Sequence, residues 1–423
     1  MRKKIGVLAQ YLNTRHDIRE FIAHLGRKHD VVVYVRKNDI QLTSELSSEV
    51  EIRIIEAQLY KNVWNNILIL LYRVFGILPK SKHNYFITEY FKLNNAKLSR
   101  FIRIKESFLL NLSMWVPRWI SYDFYLKNLN YRTDTHISDI DEFLCFTQIY
   151  DDLFFAHLLD SGKKVNVYVY SWDHPCKMKT FSKRVNQYLV WNEGLKEDLI
   201  SLQGITPQQV RILGSTQLTY IYDFLKDKVQ PAYYTFDYLY FACATGYPKL
   251  VEQEVSIIAR TAGYLAKQHP NMKLVVRTYP FFGAEELYAP LLAFTNVVFD
   301  DYKSRFSSNA EASLVITDKL IKISQSKGLI HFGTTFGLEA SYFNAPVILA
   351  DVASEYKELN QFVHQYQNDK YLNLTFKNIP KNWNSFEQAI SDTIADHSDM
   401  KLYNQAVASS TALHSLNELV DRV

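Results

Sequence analysis

Continuous apolar runs of five or six residues, each followed by a polar turn and an amphipathic stretch, recur along the chain. The first covers residues 5–9; a polar segment through Asp17 follows, then a helical spacing of apolar residues over 18–25 and a second run at 31–35. Runs that are apolar at every position, rather than at alternate ones, predict strands covered on both faces, as in parallel sheets flanked by helices. After residue 135 the same rhythm predicts strands at 141–146, 165–170, 187–191 and 210–214, with a helix over 195–202. The segment 223–235, with Lys226, Lys228 and Pro231, reads as a linker. A second alternation follows it. Strands are expected at 238–243, 273–277, 296–301, 328–333 and 346–350, and helices at 253–267, 319–324, 338–343, 386–394 and 401–423.

Two such halves predict an α/β fold of two Rossmann-like, doubly wound domains, 1–222 and 236–400, facing a central cleft. A terminal helix over 401–423 is expected to pack back toward the first domain. Ligands of such sheets sit at the carboxyl ends of the strands. The first domain carries an insertion at about 60–130. Its apolar run 63–78 is flanked by Lys61, Lys80, Lys82 and His83, and 108–126 carries Trp115, Trp119, Tyr122, Phe124 and Tyr125 around Arg118. Between them lie Lys92, Lys97, Arg100, Arg103 and Lys105, against Glu89 and Glu106. Either these are core helices with a solvated basic face, or they form a patch facing an anionic membrane surface. The apolar run is shorter than the roughly 18 residues a span requires, so the second reading means peripheral association at the inner face of the cell membrane.

Composition narrows the class. With 423 residues, 48% of them hydrophobic and 22% charged, the chain is neither disordered nor a polytopic membrane protein. A net charge of +4 without a recognised motif argues against nucleic acid as a partner. Cys145, Cys176 and Cys243 lie too far apart for a thiolate zinc site and fit a reducing, cytoplasmic location. The basic start is followed by an apolar stretch broken by Gln10 and Asn13, which reads as a strand rather than a signal peptide. The twelve histidines show no ligand spacing for zinc.

The segment Gly333-Thr334-Thr335-Phe336-Gly337-Leu338-Glu339 is where a buried strand turns into a helix. Backbone N–H groups and two hydroxyls at a helix start form an anion site. Glu339, four residues after Thr335, shares its helix face and is placed to accept bonds from ribose hydroxyls. The alternative is a plain cap, with Glu339 complementing the helix dipole. Gly246, after the first strand of the second half, marks either a close phosphate approach or an ordinary turn.

Residues 331–349 (HFGTTFGLEASYFNAPVIL) resemble the strand–(Ser/Thr)–Thr-x-x-x-Glu-Ala–helix–Pro-Val-Ile segment of GT-B glycosyltransferases. The likeness is to those of bacterial surface and capsular polysaccharide synthesis and to CDP-glycerol-type polyol-phosphate transferases. A second block agrees: Ser171-Trp172-Asp173, Leu189-Val190-Trp191-Asn192-Glu193, a helix with Lys196-Glu197, Gly204-Ile205-Thr206-Pro207, and 210–214. The resemblance runs loosely over 165–350, and the first 160 residues carry no matched motif. It implies a Leloir-type transferase that moves a sugar from a nucleotide-sugar donor to an oligosaccharide or lipid-linked acceptor. The donor would be held in the second domain by Gly246, Arg277, Gly333, Thr334, Thr335 and Glu339. Relatives often carry Arg-x-His-Pro where this chain has Arg277-Thr278-Tyr279-Pro280, so the histidine position is vacant. Asp300-Asp301 resembles the metal-binding pair of the other glycosyltransferase fold, but the GT-B fold stabilises the leaving diphosphate with helix ends and cations. Neither a metal nor another cofactor is expected, the nucleotide-sugar being a substrate.

An inverting transfer needs a general base. His16 and Asp17, after the first strand, and Asp173 and His174, after Tyr170, are the candidates, with Asp173 favoured and Lys177 and Lys179 as acceptor or phosphate contacts. Each of these is alternatively a turn former or a satisfied polar group, and a retaining enzyme works without a protein base. Three other functions share the scaffold: a polyol-phosphate transferase, a nucleotide-sugar epimerase, and a catalytically silent binding protein.

Overall fold

β1 (Lys4–Leu8) and β2 (Asp30–Val35) form because their apolar residues are buried on both faces, with α1 (His16–Lys28) crossing between them. The computed structural model describes residues 2–9, 12, 15–37, 46, 50–147, 151–226, 232–279, 285–300, 309–343, 345–352, 355–366, 380, 382–395 and 411–423. They fall into two units, Met1–Thr219 with Thr411–Val423, and Tyr220–Ser304 with Ala310–Ser410.

In the first unit, β3 (Val50–Ile54) extends the sheet and leads into the insertion. β4 (Ala57–Leu59) and β5 (Tyr131–Thr133) pair antiparallel and close the insertion at its base. Between them run α2 (Val63–Phe75), α3 (Lys82–Asn95), α4 (Arg100–Trp115) and α5 (Tyr122–Asn128). The alternation resumes with β6 (Glu142–Phe146), α6 (Asp152–Asp160), β7 (Lys164–Tyr168), α7 (His174–Lys177), β8 (Gln187–Val190), α8 (Glu193–Gln203) and β9 (Val210–Ile212). All seven strands of the main sheet are parallel, in the order β3-β2-β1-β6-β7-β8-β9. The order reverses between β1 and β6, the position at which sheets of this kind bind ligands beyond the carboxyl ends of their strands. The helix Leu416–Asp421 buries Leu419 and Val420 in this unit, and Asp421 pairs with Lys28 of α1.

α9 (Thr219–Phe224) leads into the second unit. It comprises β10 (Tyr238–Ala242), α10 (Pro248–Gln268), β11 (Lys273–Arg277), β12 (Val297–Phe299), α11 (Asn309–Gln325), β13 (Gly328–His331), α12 (Thr335–Ala340), β14 (Val347–Leu349) and α13 (Lys357–Val363), then the helix Trp383–Ile394. Its five parallel strands run β12-β11-β10-β13-β14, with the switch between β10 and β13. β10 is buried at every residue and forms the centre.

Several local expectations change. The aromatic segment 108–126 is two helices, interrupted before Pro117, whose ring cannot continue a helix, and α4 begins earlier, at Arg100. The interior reading of the insertion suits Tyr72, which stacks on Tyr125 at 4.2 Å and on Tyr122 at 5.8 Å. It does not suit α4, of which only Ser113 is buried. The helix expected over 338–343 instead spans Thr335–Ala340, so the turn at 333–334 runs straight into it. β3, β4 and β5 were not legible in the alternation, because they are short and partly exposed at the sheet edge or in a ribbon. Asp301, Pro280 and 401–410 lie outside the described residues.

Candidate functional site

The carboxyl ends of β10, β11 and β13 surround a cavity of ≈ 270 Å³, lined by Arg277, Lys319, Thr334, Thr335, Phe336 and Glu339 together with Cys243 and Tyr279. Its floor comes from the β13–α12 turn. Gly333 adopts φ 85°, the left-handed region that glycine enters without penalty, and this reverses the chain. The buried His331 ring accepts the backbone N–H of Gly333 at 3.2 Å and of Thr334 at 3.1 Å on Nδ1. The imidazole is therefore neutral with its proton on Nε2, and burial lowers its pKa to about 3. A Cβ at Gly337 would sit 2.4 Å from that ring, so glycine is required there for histidine to occupy the turn.

This arrangement corrects the expectation of free N–H groups at the turn, because two of them are directed at His331. Nor does Thr334 cap α12 with its side chain. Its Oγ1 is buried and has no partner among the described residues. What the cavity offers instead is side-chain chemistry. Lys319 Nζ lies 2.9 Å from each carboxylate oxygen of Glu339 and 5.2 Å from the centre of the Phe336 ring, which Arg277 faces at 5.5 Å. Arg277 is oriented by Asp300 at 2.7 Å. Asp300 also accepts from Tyr240 Oη at 2.5 Å and from the buried Lys322. Its oxygens thus serve three protein donors. Gly246 is buried in the loop after β10 and does not line the cavity among the described residues. Tyr279 lines it where relatives would place histidine.

Behind the cavity, Glu254 of α10 accepts the Ala244 N–H at 2.8 Å and stands 3.5 Å from Tyr288 Oη. Burial pushes its carboxyl up to about 8. A native pKa above the unfolded one means that the folded protein holds the proton while the unfolded chain has lost it, so this group lowers stability as pH rises from about 4.5 toward 8. Glu254→Gln removes the titration. Its stability relative to the parent, read from urea midpoints, is expected to improve by about 3 kcal/mol between pH 5 and pH 8. A pH-independent difference would show that Glu254 is ionised in the native state.

In the first unit the two candidate loops meet. Tyr170 Oη donates to Asp17 at 3.1 Å, Thr216 Oγ1 donates to the other Asp17 oxygen at 2.6 Å, and Arg15 covers the Tyr170 ring at 4.0 Å. Burial raises the Asp17 pKa, opposed by Thr216, Arg15 and Tyr170. His16 begins α1 with Nε2 at 3.1 Å from Glu20. In the same unit His174 Nδ1 lies 2.5 Å from Thr147 Oγ1, and burial lowers its pKa to about 4. Asp173 is paired with Lys177 at 2.7 Å; burial would raise its carboxyl, but Lys177 and His174 hold it well below the ordinary value. Lys179 lies partly buried against the rings of Tyr72 (4.7 Å) and Tyr85 (5.6 Å), and burial lowers its pKa to about 8. Lys177 and Lys179 are thus both engaged within the protein.

Sequence reasoning missed Lys319, Lys322, His331 as a structural element, Glu254, Thr216 and Tyr170. Lys319 and Lys322 are three apart within α11, a spacing that puts both on one face. That spacing was the available signal.

No protein-family profile matches the chain, and no curated protein matches its sequence. Solved structures do. Over all of this chain it is similar to the S. aureus MnaA–UDP complex (TM-score 0.54, 12% identity, 95% of that chain covered). It is likewise similar to a putative UDP-N-acetylglucosamine 2-epimerase from Listeria monocytogenes (0.52, 11%, 94%) and to an α,α-trehalose 6-phosphate synthase from Burkholderia multivorans (0.51, 10%, 95%). Likeness at such identities is likeness of fold. The chain has the GT-B fold, built from two Rossmann-like units.

Proposed function

We propose that the protein is a glycosyltransferase that takes a sugar from a nucleotide-activated donor and passes it to a glycan or lipid-linked acceptor in bacterial cell-surface polysaccharide synthesis. The observation that carries this reading is the cavity at the switch point of the second unit, where Arg277 and Lys319 flank Phe336 beside an unpartnered Thr334 hydroxyl and the Glu339 carboxylate. The two cations suit a diphosphate, whose negative charge grows as the bond to the sugar breaks. Glu339 suits the ribose hydroxyls, and Lys319 holds it in one orientation. The UDP in a structure of similar fold supports a nucleotide ligand.

In an inverting transfer the acceptor oxygen bonds to the anomeric carbon as the bond to the diphosphate breaks, and the acceptor proton passes to a base. Asp17 suits that role better than Asp173, since its carboxyl is raised whereas that of Asp173 is tied to Lys177. The epimerases among the similar structures support a second reading on the same scaffold, in which donor is consumed with no acceptor present.

Thermal melting with a panel of nucleoside diphosphates tests the donor site. At a hundredfold excess over Kd the cognate one is expected to add about 2.7 kcal/mol, a rise of several degrees. Lys319→Ala and Glu339→Ala should each abolish that rise without lowering the unliganded melting point by a comparable amount. A cytidine preference would favour the polyol-phosphate transferase. No shift with any nucleotide would overturn the reading.

A further inference from the structure

The insertion of the first unit exposes what a folded chain normally buries. Of the 22 large hydrophobic side chains exposed on the described residues, 14 fall between Tyr60 and Phe124. On α4 they are ordered. Phe101, Ile104, Phe108 and Trp115 follow one another at steps of three, four and seven residues, which places them along one side of the helix, and they are 79%, 61%, 65% and 87% exposed. α2, joined to α4 by the Arg73–Glu106 ion pair, leaves Val63, Ile67 and Leu70 exposed at steps of four and three. Trp119 stacks on Phe75 with centroids 5.0 Å apart yet remains largely exposed.

Charge identifies the occupant. Between residues 61 and 120 the chain has ten Lys and Arg against two Glu, whereas the whole chain is only +4, so the rest is net negative. Both glutamates are already matched, Glu89 with Lys92 and Glu106 with Arg73. Arg100 and Lys105 flank the α4 stripe, and both are exposed. Two copies of such a surface would repel each other. An apolar stripe carrying tryptophan, edged by cations, suits the boundary between anionic headgroups and acyl chains. No helix among the described residues is long and apolar enough to cross a bilayer.

We propose that α4, with α2 beside it, docks the protein in the plane of an anionic lipid bilayer. This stands independently of the nucleotide reading, and its test does not involve the cavity. The full chain is mixed with vesicles of phosphatidylcholine alone, and of phosphatidylcholine with phosphatidylglycerol, and binding is read by flotation. Binding is expected to the anionic vesicles and to weaken with added salt. Arg100→Gln with Lys105→Gln should lower the partition coefficient about 25-fold at low salt, near fivefold per charge. Phe101→Ser, Phe108→Ser and Trp115→Ser together should abolish it. These positions are solvent-exposed, so unchanged melting points establish that the variants are folded. Three outcomes overturn the proposal: no binding to either vesicle, equal binding to both with no salt dependence, or self-association that the triple serine variant removes while vesicles bind nothing.

Discussion

Asp300→Asn is expected to cost the protein about 3–5 kcal/mol of folding stability, the usual penalty for removing one partner of a buried ion pair. The Asp300 side chain is fully buried and accepts from Arg277, Lys322 and Tyr240. Lys322 is itself 3% exposed, so without the carboxylate its ammonium stays in the interior against a neutral amide and, among the described residues, the Tyr233 ring 4.3 Å away. Pairing Asp300→Asn with Lys322→Met should restore part of the loss, because the stranded charge goes too. The pH dependence has a definite sign. Burial alone would raise the carboxyl, but Arg277, Lys322 and Tyr240 outweigh it and lower the pKa. Its contribution is therefore complete above the unfolded value near 3.8 and is lost as pH falls through the lower native value. Denaturant midpoints at pH 7 measure the effect. A loss below about 1 kcal/mol would mean that the network contributes no more than a solvent-exposed pair. Because Asp300 also aims Arg277 at the cavity, a folded Asp300→Asn protein should show a weaker nucleotide response.

The largest expected effect on turnover is at Asp17. If the transfer is inverting, Asp17→Asn should lower kcat by about 10²–10⁴-fold while the melting response to nucleotide persists, since general-base assistance contributes on that scale. The competing Asp173→Asn should cost less than about tenfold. The difference rests on basicity. Asp173 is held ionised by Lys177 and is a weak proton acceptor, and His174, with a pKa near 4, is little better. Asp17, raised by burial, lies nearer to working pH. Asparagine can still accept from either Tyr170 or Thr216, but not from both with charge, so a loss of about 1–3 kcal/mol in stability should accompany the loss of rate. A fatal Asp173→Asn beside an active Asp17→Asn would reverse the assignment.

The strand–helix alternation was legible because the physics that makes it is local. A strand covered on both faces must be apolar along its buried length, as β10 is throughout and β2 is after the exposed Asp30. Thr334, Thr335, Glu339 and Arg277 were legible for a related reason, being in or just beyond buried strands, where parallel sheets of this kind place their ligands. The short edge strand β3 was not. It is only partly buried, and its pairing partner β2 rather than its own pattern makes it a strand.

The sequence by itself determined two doubly wound α/β halves, a basic and aromatic insertion in the first, and a hydroxyl-rich turn after a buried strand in the second. The tertiary structure alone decided which polar groups are spent and which remain. It turned the Gly333 and Thr334 N–H groups onto His331, brought Lys319 to Glu339 and joined Asp17 to Tyr170 and Thr216 across more than 150 residues. It also left one side of α4 bare. Burial patterns repeat every two or four residues and can be read along a chain, whereas a hydrogen bond between distant side chains depends on how the sheet order folds back. Local spacing carries no record of that order.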